Sequence, residues 1–168
     1  MTKGAAVIVG AGHAGFQLAV SLRQAGFKEP VRLLNDADIQ GLAAIKGEGL
    51  ELVCTLGTGF GTAWFRDGEL MPHMDLAHMA VYPKHDFDDF LGDLTLKMIG
   101  RKAWNKRLMK TVAMLNKVFF FDKLYLGGGN SSRVDAKLPD NVAIVSNDAG
   151  MEGGAFVWLP KGPKRIRG

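Results

Sequence analysis

The sequence predicts an α/β fold, a mixed sheet with helices on both faces, and three observations predict it. A strand, a glycine-rich turn, a helix and a second strand follow one another within residues 5–34. Two further strand-like runs, Leu52–Leu56 and Thr62–Arg66, flank a second glycine-rich turn. Two apolar stripes at helical spacing occupy residues 86–119. At 168 residues the chain is one domain, or one domain with a small extension. A chain of that size buries roughly two-thirds of its unfolded surface, enough for a core without metals or disulfides. Its 22 glycines imply several tight turns. The lone cysteine, Cys54, excludes an intramolecular disulfide and a cysteine-rich zinc site, and fits a reducing cytoplasm. No apolar run reaches the roughly 18–20 residues of a membrane span. The opening MTKGAAVIVG runs into a glycine loop rather than a signal cleavage site. A net charge of +4 mildly favours anionic ligands.

Each element has a local cause. Ala5–Val9 is a short apolar run that suits a buried strand. Gly10-Ala11-Gly12-His13-Ala14-Gly15 follows it, and residues 16–25 then show helical spacing with Phe16, Val20 and Leu22 facing inward. Gly26 suits a helix C-cap, and Pro30 precedes the strand Val31–Leu34. In that context a G-x-G-x-x-G pattern can hold a dinucleotide. Gly10 permits the turn, Gly12 admits a pyrophosphate, and Gly15 lets the helix pack on the strand. Asp36 lies where a ribose-binding acid belongs. A glycine turn that serves packing alone is the other reading. The string VIVGAGHAGFQLAVSLRQAGF also resembles the FAD-binding opening of ferredoxin-reductase-type flavoproteins, over residues 5–34 only. That resemblance implies FAD or NAD as a cofactor.

From Val31 onward a different family is resembled. PVRLLNDADIQGLAA, LVCTLGTGFGTAWFRDGELMPHMDLAHM, LYLGGGNSS and NVAIVSNDAGMEGGAFVW stand in the order of motifs found in ROK-family sugar kinases. The polyphosphate-glucokinase branch, which lacks the usual cysteine zinc cluster, is the nearest likeness. The resemblance covers residues 31–158 and implies an actin-like, ribonuclease-H-like core. It also implies Mg-ATP or polyphosphate as phosphoryl donor and a sugar as acceptor. The kinase family has an N-terminal lobe with an Asp-x-Gly-Gly-Thr phosphate loop, and this sequence contains no such motif. The expectation is therefore the C-terminal half of such a kinase, weakly active or inactive alone.

The candidate site residues follow. Gly57-Thr58-Gly59-Phe60-Gly61 turns between two strands, and its backbone N–H groups and the Thr58 hydroxyl can hold a transferring phosphate. An ordinary β-turn is the bland alternative. Asp67-Gly68 is a hairpin signal. The kinase resemblance makes Asp36 the base that takes the sugar hydroxyl proton and Asn35 a sugar contact. As a helix N-cap, Asp36 has an equally ordinary role. Asp38 reads as a first-turn acid near the helix dipole. Asp75-Leu76-Ala77-His78 falls where the family has Glu-x-Gly-His, which makes Asp75 and His78 sugar contacts. The departures shorten the acid and add a β-carbon at Ala77. A core histidine is the alternative for His78, and neither His73 nor His85 has spacing that argues for a metal. Gly127, Gly128 and Gly129 resemble the family's adenosine-side loop.

The stripe Phe87, Phe90, Leu91, Leu94 and Met98 ends at Gly100, and Trp104, Leu108, Val112, Leu115 and Phe119 make a second. Between them Lys97, Arg101, Lys102, Lys106, Arg107 and Lys110 form either a solvated face or a polyphosphate track. Leu124–Leu126 and Asn141–Val145 read as strands, Ser131–Ser132 as the start of a short helix, and residues 150–159 as a closing helix or turn. Residues 1–34 are expected to form a Rossmann-like β-α-β unit that shares the sheet of an actin-like unit spanning 31–159. Residues 160–168 are expected to be a disordered basic tail. The strand Val31–Leu34 serves both patterns, which suggests a natural fusion or a recombined chimera. The expected setting is cytoplasmic, with phosphate or sugar ligands, no nucleic acid or membrane partner, and scope for a homo-oligomer.

Overall fold

Strand β3 (Leu50–Leu56) runs through the middle of the molecule with every residue from Glu51 onward buried. A computed structural model describes residues 6–10 and 13–146. Side chains of β3 alternate between two cores, as a pleated strand covered on both faces requires. Leu52, Cys54 and Leu56 join Trp104, Leu108 and Leu115 on one side, while Val53 joins Ala37, Leu42 and Phe65 on the other. Burial pushes the Cys54 thiol up, which leaves it an inert core residue.

The chain reverses after β3 into β4 (Phe60–Arg66), antiparallel with Leu56 opposite Phe60, and again into β5 (Glu69–Leu70). The second reversal is the Asp67-Gly68 turn, with φ of 51° and 85°. Positive φ at both central residues is the type I′ geometry that matches strand twist. On the other side, β8 (Lys123–Gly127) runs parallel to β3, and β9 (Val142–Ile144) parallel to β8. The order β5-β4-β3-β8-β9 is a mixed five-stranded sheet.

Helix α2 (Asp36–Ala44) covers one face. Its Gly41 is placed so that a β-carbon would run into the Phe65 ring, so the helix lies directly on β4. The opposite face carries α3 (Phe87–Leu91) and α4 (Asp93–Phe119), whose path breaks at Gly100 (φ 78°, ψ 161°) as the sequence predicts. Phe87 stacks on Phe60 with ring centroids 5.0 Å apart. Trp104 is fully buried and its indole N–H donates to the Leu91 carbonyl at 2.8 Å. Between β5 and α3, the short strands β6 (Ala80–Tyr82) and β7 (His85–Asp86) make a small ribbon.

Two stripe assignments change. Leu94 and Met98 are 72% and 74% exposed, while Leu96 and Ile99 pack against the core instead. The extended backbone at Gly92 separates α3 from α4 and resets the helical phase, so the stripe does not run on from Phe87. At the N-terminus, β1 (Ala6–Val9), α1 (His13–Gln24) and β2 (Val31–Leu34) form a β-α-β unit with parallel strands. Phe16 is 57% exposed because Gly15 is the residue turned toward β1, where a β-carbon would overlap the Gly10 carbonyl oxygen. This unit does not share the larger sheet: among the described residues β1 and β2 pair with each other alone. After β2 the chain enters α2 at once, and that helix packs on β3, β4 and β8. Val7 and Leu34 meet the α2-side core through side chains rather than a hydrogen-bonded edge. The expected closing helix or turn at 150–159 and the tail at 160–168 lie outside the described residues, as does Gly12. No helix of the described residues is long and apolar enough to cross a membrane.

Candidate active site

An open cleft of about 860 Å³ lies at the end of the sheet where β3 finishes. Its lining includes the start of α2 with Asn35, Asp36 and Gln40, the turn Gly57–Gly61, the stretch holding Asp75 and Ala77, and the loop Gly128–Gly129, together with Val7 and Asp88. Chain segments distant in sequence thus meet in one cavity.

Asn35 begins α2. Its side-chain oxygen accepts the Ala37 N–H at 3.1 Å, and its own N–H donates to Asp38 Oδ2 at 3.3 Å. The N-cap is therefore Asn35, and Asp36 is the first helical residue. Asp36 is exposed on the cleft wall, where Oδ1 accepts the Ala37 N–H at 2.8 Å. A carboxylate at a helix N-terminus is favoured in its ionised form, and this one faces an open cleft. Asp38, by contrast, is buried, and burial holds its carboxyl above the usual range against the opposing influence of His73.

The glycine turn is clamped from three sides. Phe60 N–H donates to Asp88 Oδ1 at 2.6 Å, Asp93 N–H donates to the Gly57 carbonyl at 2.9 Å, and Asn130 Nδ2 donates to the same carbonyl at 3.2 Å. A β-carbon at Gly59 would sit 2.5 Å from Asp88 Oδ1, so a side chain here would displace the carboxylate that holds the turn. Thr58 stays exposed at the cleft.

Asp75 is held by β4. Thr62 Oγ1 donates to the Met74 carbonyl at 2.7 Å and accepts the Leu76 N–H at 3.2 Å, while Trp64 Nε1 also donates to Met74 O. Asp75 Oδ1 accepts the Ala77 N–H at 2.9 Å. The β-carbon of Ala77 is accommodated in a buried position.

Several expected site residues lie elsewhere. The His78 side chain is 81% exposed and meets Asp86 at 3.4 Å, away from the cleft lining. The cause is the Leu76–Met79 turn, closed by a hydrogen bond from Met79 N–H to Leu76 O, which carries His78 outward. Gly127 packs against Gln40 rather than opening on the cleft. Among the described residues of the N-terminal unit only Val7 lines the cleft, and Gly10 and Gly15 do not. Lys97 pairs with Asp93 and Arg101 with Asp135, and Arg107 lies over the Phe90 ring at 4.7 Å. Half of the basic stretch is thus engaged with its own helix surroundings. Among the described residues no group of three His, Cys, Asp or Glu side chains is placed to hold a metal ion. Asp88 was not legible as a site residue, because F-D-D-F reads only as the start of an acidic helix.

Comparison with known proteins places the fold in a class. No protein-family model matches the chain. Its fold is that of ROK sugar kinases: the Streptomyces griseus ROK glucokinase, solved with glucose and AMPPNP, superposes with a TM-score of 0.59 over 81% of this chain and 70% of that one, at 14% identity. The inorganic polyphosphate/ATP-glucomannokinase of Arthrobacter sp. strain KM superposes with a TM-score of 0.65 at 30% identity, over 80% of this chain and 59% of that one. In sequence the chain is 28% identical over 142 residues to the polyphosphate glucokinase of Mycobacterium leprae, covering 76% of this chain and 44% of that protein. The chain is homologous to polyphosphate glucokinases and spans about half the length of the curated relatives it matches.

Proposed function

We propose that this chain supplies the acceptor-sugar and phosphate-binding half of a glucokinase that uses ATP or polyphosphate. The observation that carries the reading is the single cleft in which Asp36, Asp75 and the Gly57–Gly59 turn meet. Asn35 and Asp75 would bind sugar hydroxyls. Asp36 would accept the proton of the hydroxyl whose oxygen bonds to the terminal phosphorus of the donor. The bond from that phosphorus to its bridging oxygen breaks, and ADP or a polyphosphate one unit shorter leaves. Magnesium would arrive with the nucleotide phosphates. The Gly57–Gly59 turn would hold the transferring group through backbone N–H groups, with Gly128–Gly129 on the donor side.

Phosphoryl transfer depends chiefly on positioning and electrostatics, and the sequence carries no Asp-x-Gly-Gly-Thr loop. The chain by itself is therefore expected to bind the sugar while turning over slowly. A coupled assay with glucose and either ATP or polyphosphate tests this. Turnover near one per second, within the usual kinase range, contradicts the half-site reading.

A second reading rests on the close approach of Gly15 to Gly10, the packing that a dinucleotide-binding turn uses. FAD or NAD would then sit at Gly10, Gly12 and Gly15. Titration of FAD and NAD into the wild type and Gly12→Val separates the readings. Binding lost in the variant favours the dinucleotide. A chimera that folds without activity predicts neither sugar nor dinucleotide binding.

A further inference from the structure

A side-chain contact joins the Asn35–Asp36 wall of the cleft to the Asp75 segment. His73 Nδ1 lies 3.4 Å from Asp38 Oδ1, and the other oxygen of that carboxylate accepts the Asn35 N–H at 3.3 Å. Asp38 is buried, while His73 is 38% exposed along its side chain. His73 stands two residues before Asp75, in a segment otherwise anchored by the Thr62 hydroxyl at Met74 and Leu76 and by Trp64 Nε1 at Met74. Asp38 stands two residues after Asp36. One carboxylate therefore holds the start of α2 with one oxygen and the Asp75 segment with the other.

We propose that His73 is a positioning residue, a tether that sets the separation between Asp75 and the Asn35–Asp36 end of α2. Thr62 and Trp64 attach the segment to β4, which reaches α2 only through the packing of Gly41 on Phe65, whereas His73 links the segment to the start of α2 directly. A buried carboxylate serves well for this purpose. Its two oxygens keep a fixed spacing, and its burial makes an unsatisfied oxygen costly, which favours retention of the contact. The groups facing Asp38 are His73 from the Asp75 segment, Asn35 N–H from its own helix start, and the neighbouring charge of Asp36.

The consequence for sugar binding rests on the reading of the cleft given above, whereas the tether itself does not, and the two are separable. His73→Ala removes the tether, and His73→Asn keeps an N–H donor near the position of Nδ1. Amide hydrogen exchange in the ligand-free chain reads the tether directly. In His73→Ala, exchange at Asn35 and at Leu76 should rise together, and His73→Asn should restore both. Calorimetric titration with glucose reads the consequence: affinity should fall about tenfold in His73→Ala, the scale of one lost hydrogen bond, and recover in His73→Asn. Unchanged exchange at Asn35 in His73→Ala overturns the tether, as does equal behaviour of the two variants. Coupled exchange with no glucose bound by any form upholds the tether and overturns the sugar reading.

Discussion

Asp88 accepts a 2.6 Å hydrogen bond from the Phe60 N–H, and through it the start of α3 grips the turn between β3 and β4. The same carboxylate fills the space a side chain at Gly59 would need. Asp88→Ala should therefore lower stability by about 1.5–3 kcal/mol, the range for a hydrogen bond to a charged group. Asp88→Asn, which retains an acceptor, should cost less. Denaturant unfolding of the two variants measures the difference, and equal losses would show that the hydrogen bond is not what matters.

Asn35, not Asp36, is the cap of α2. Asn35→Ala is expected to cost about 1 kcal/mol. Asp36→Asn is expected to leave the melting temperature nearly unchanged and to remove whatever sugar phosphorylation the chain supports, without weakening donor binding. A thermal melt beside a coupled assay checks both halves. A melt lowered as much by Asp36→Asn as by Asn35→Ala would contradict the assignment of the cap.

Gly41 faces the Phe65 ring with no room for a methyl group. Gly41→Ala should cost about 1–3 kcal/mol through overpacking, although alanine is the better helix former by about 1 kcal/mol. Chemical unfolding decides which effect wins, and a stabilised variant would mean that α2 can lift from β4 freely.

Asp38 has its carboxyl held above the ordinary range, with burial as the largest cause. In the interval between the ordinary carboxylate value and the raised one, the folded chain binds more protons than the unfolded chain. Stability contributed by this group therefore falls as pH rises through that interval and is gained as pH falls. Asp38→Asn should flatten that slope. In His73→Ala, Asp38 should titrate still higher, because a lowering influence is lost. Unfolding free energies across a pH series, with carbon-detected titration of Asp38, test both expectations.

Some of this was written locally in the chain. The β-α-β opening, the Gly57–Gly61 turn, the Asp67-Gly68 hairpin and the break at Gly100 are each encoded by a few adjacent residues, because turn geometry and helix interruption depend on local φ and ψ. The strand-like runs Leu52–Leu56 and Thr62–Arg66 were likewise legible, because short runs of this composition bounded by turns suit strands. Asp36, Asp75 and the glycine turn were legible as candidates from residue type and the order of the motifs they sit in. The tertiary structure alone decided that they share a cleft with Asp88, that His78 turns away from it, and that β1 and β2 stand apart from the main sheet. Asp88 meets Phe60 across 28 positions, and His73 meets Asp38 across 35. Contacts at such separations depend on how helices and strands pack, and no local propensity specifies which face a residue presents once a glycine resets the phase of its helix.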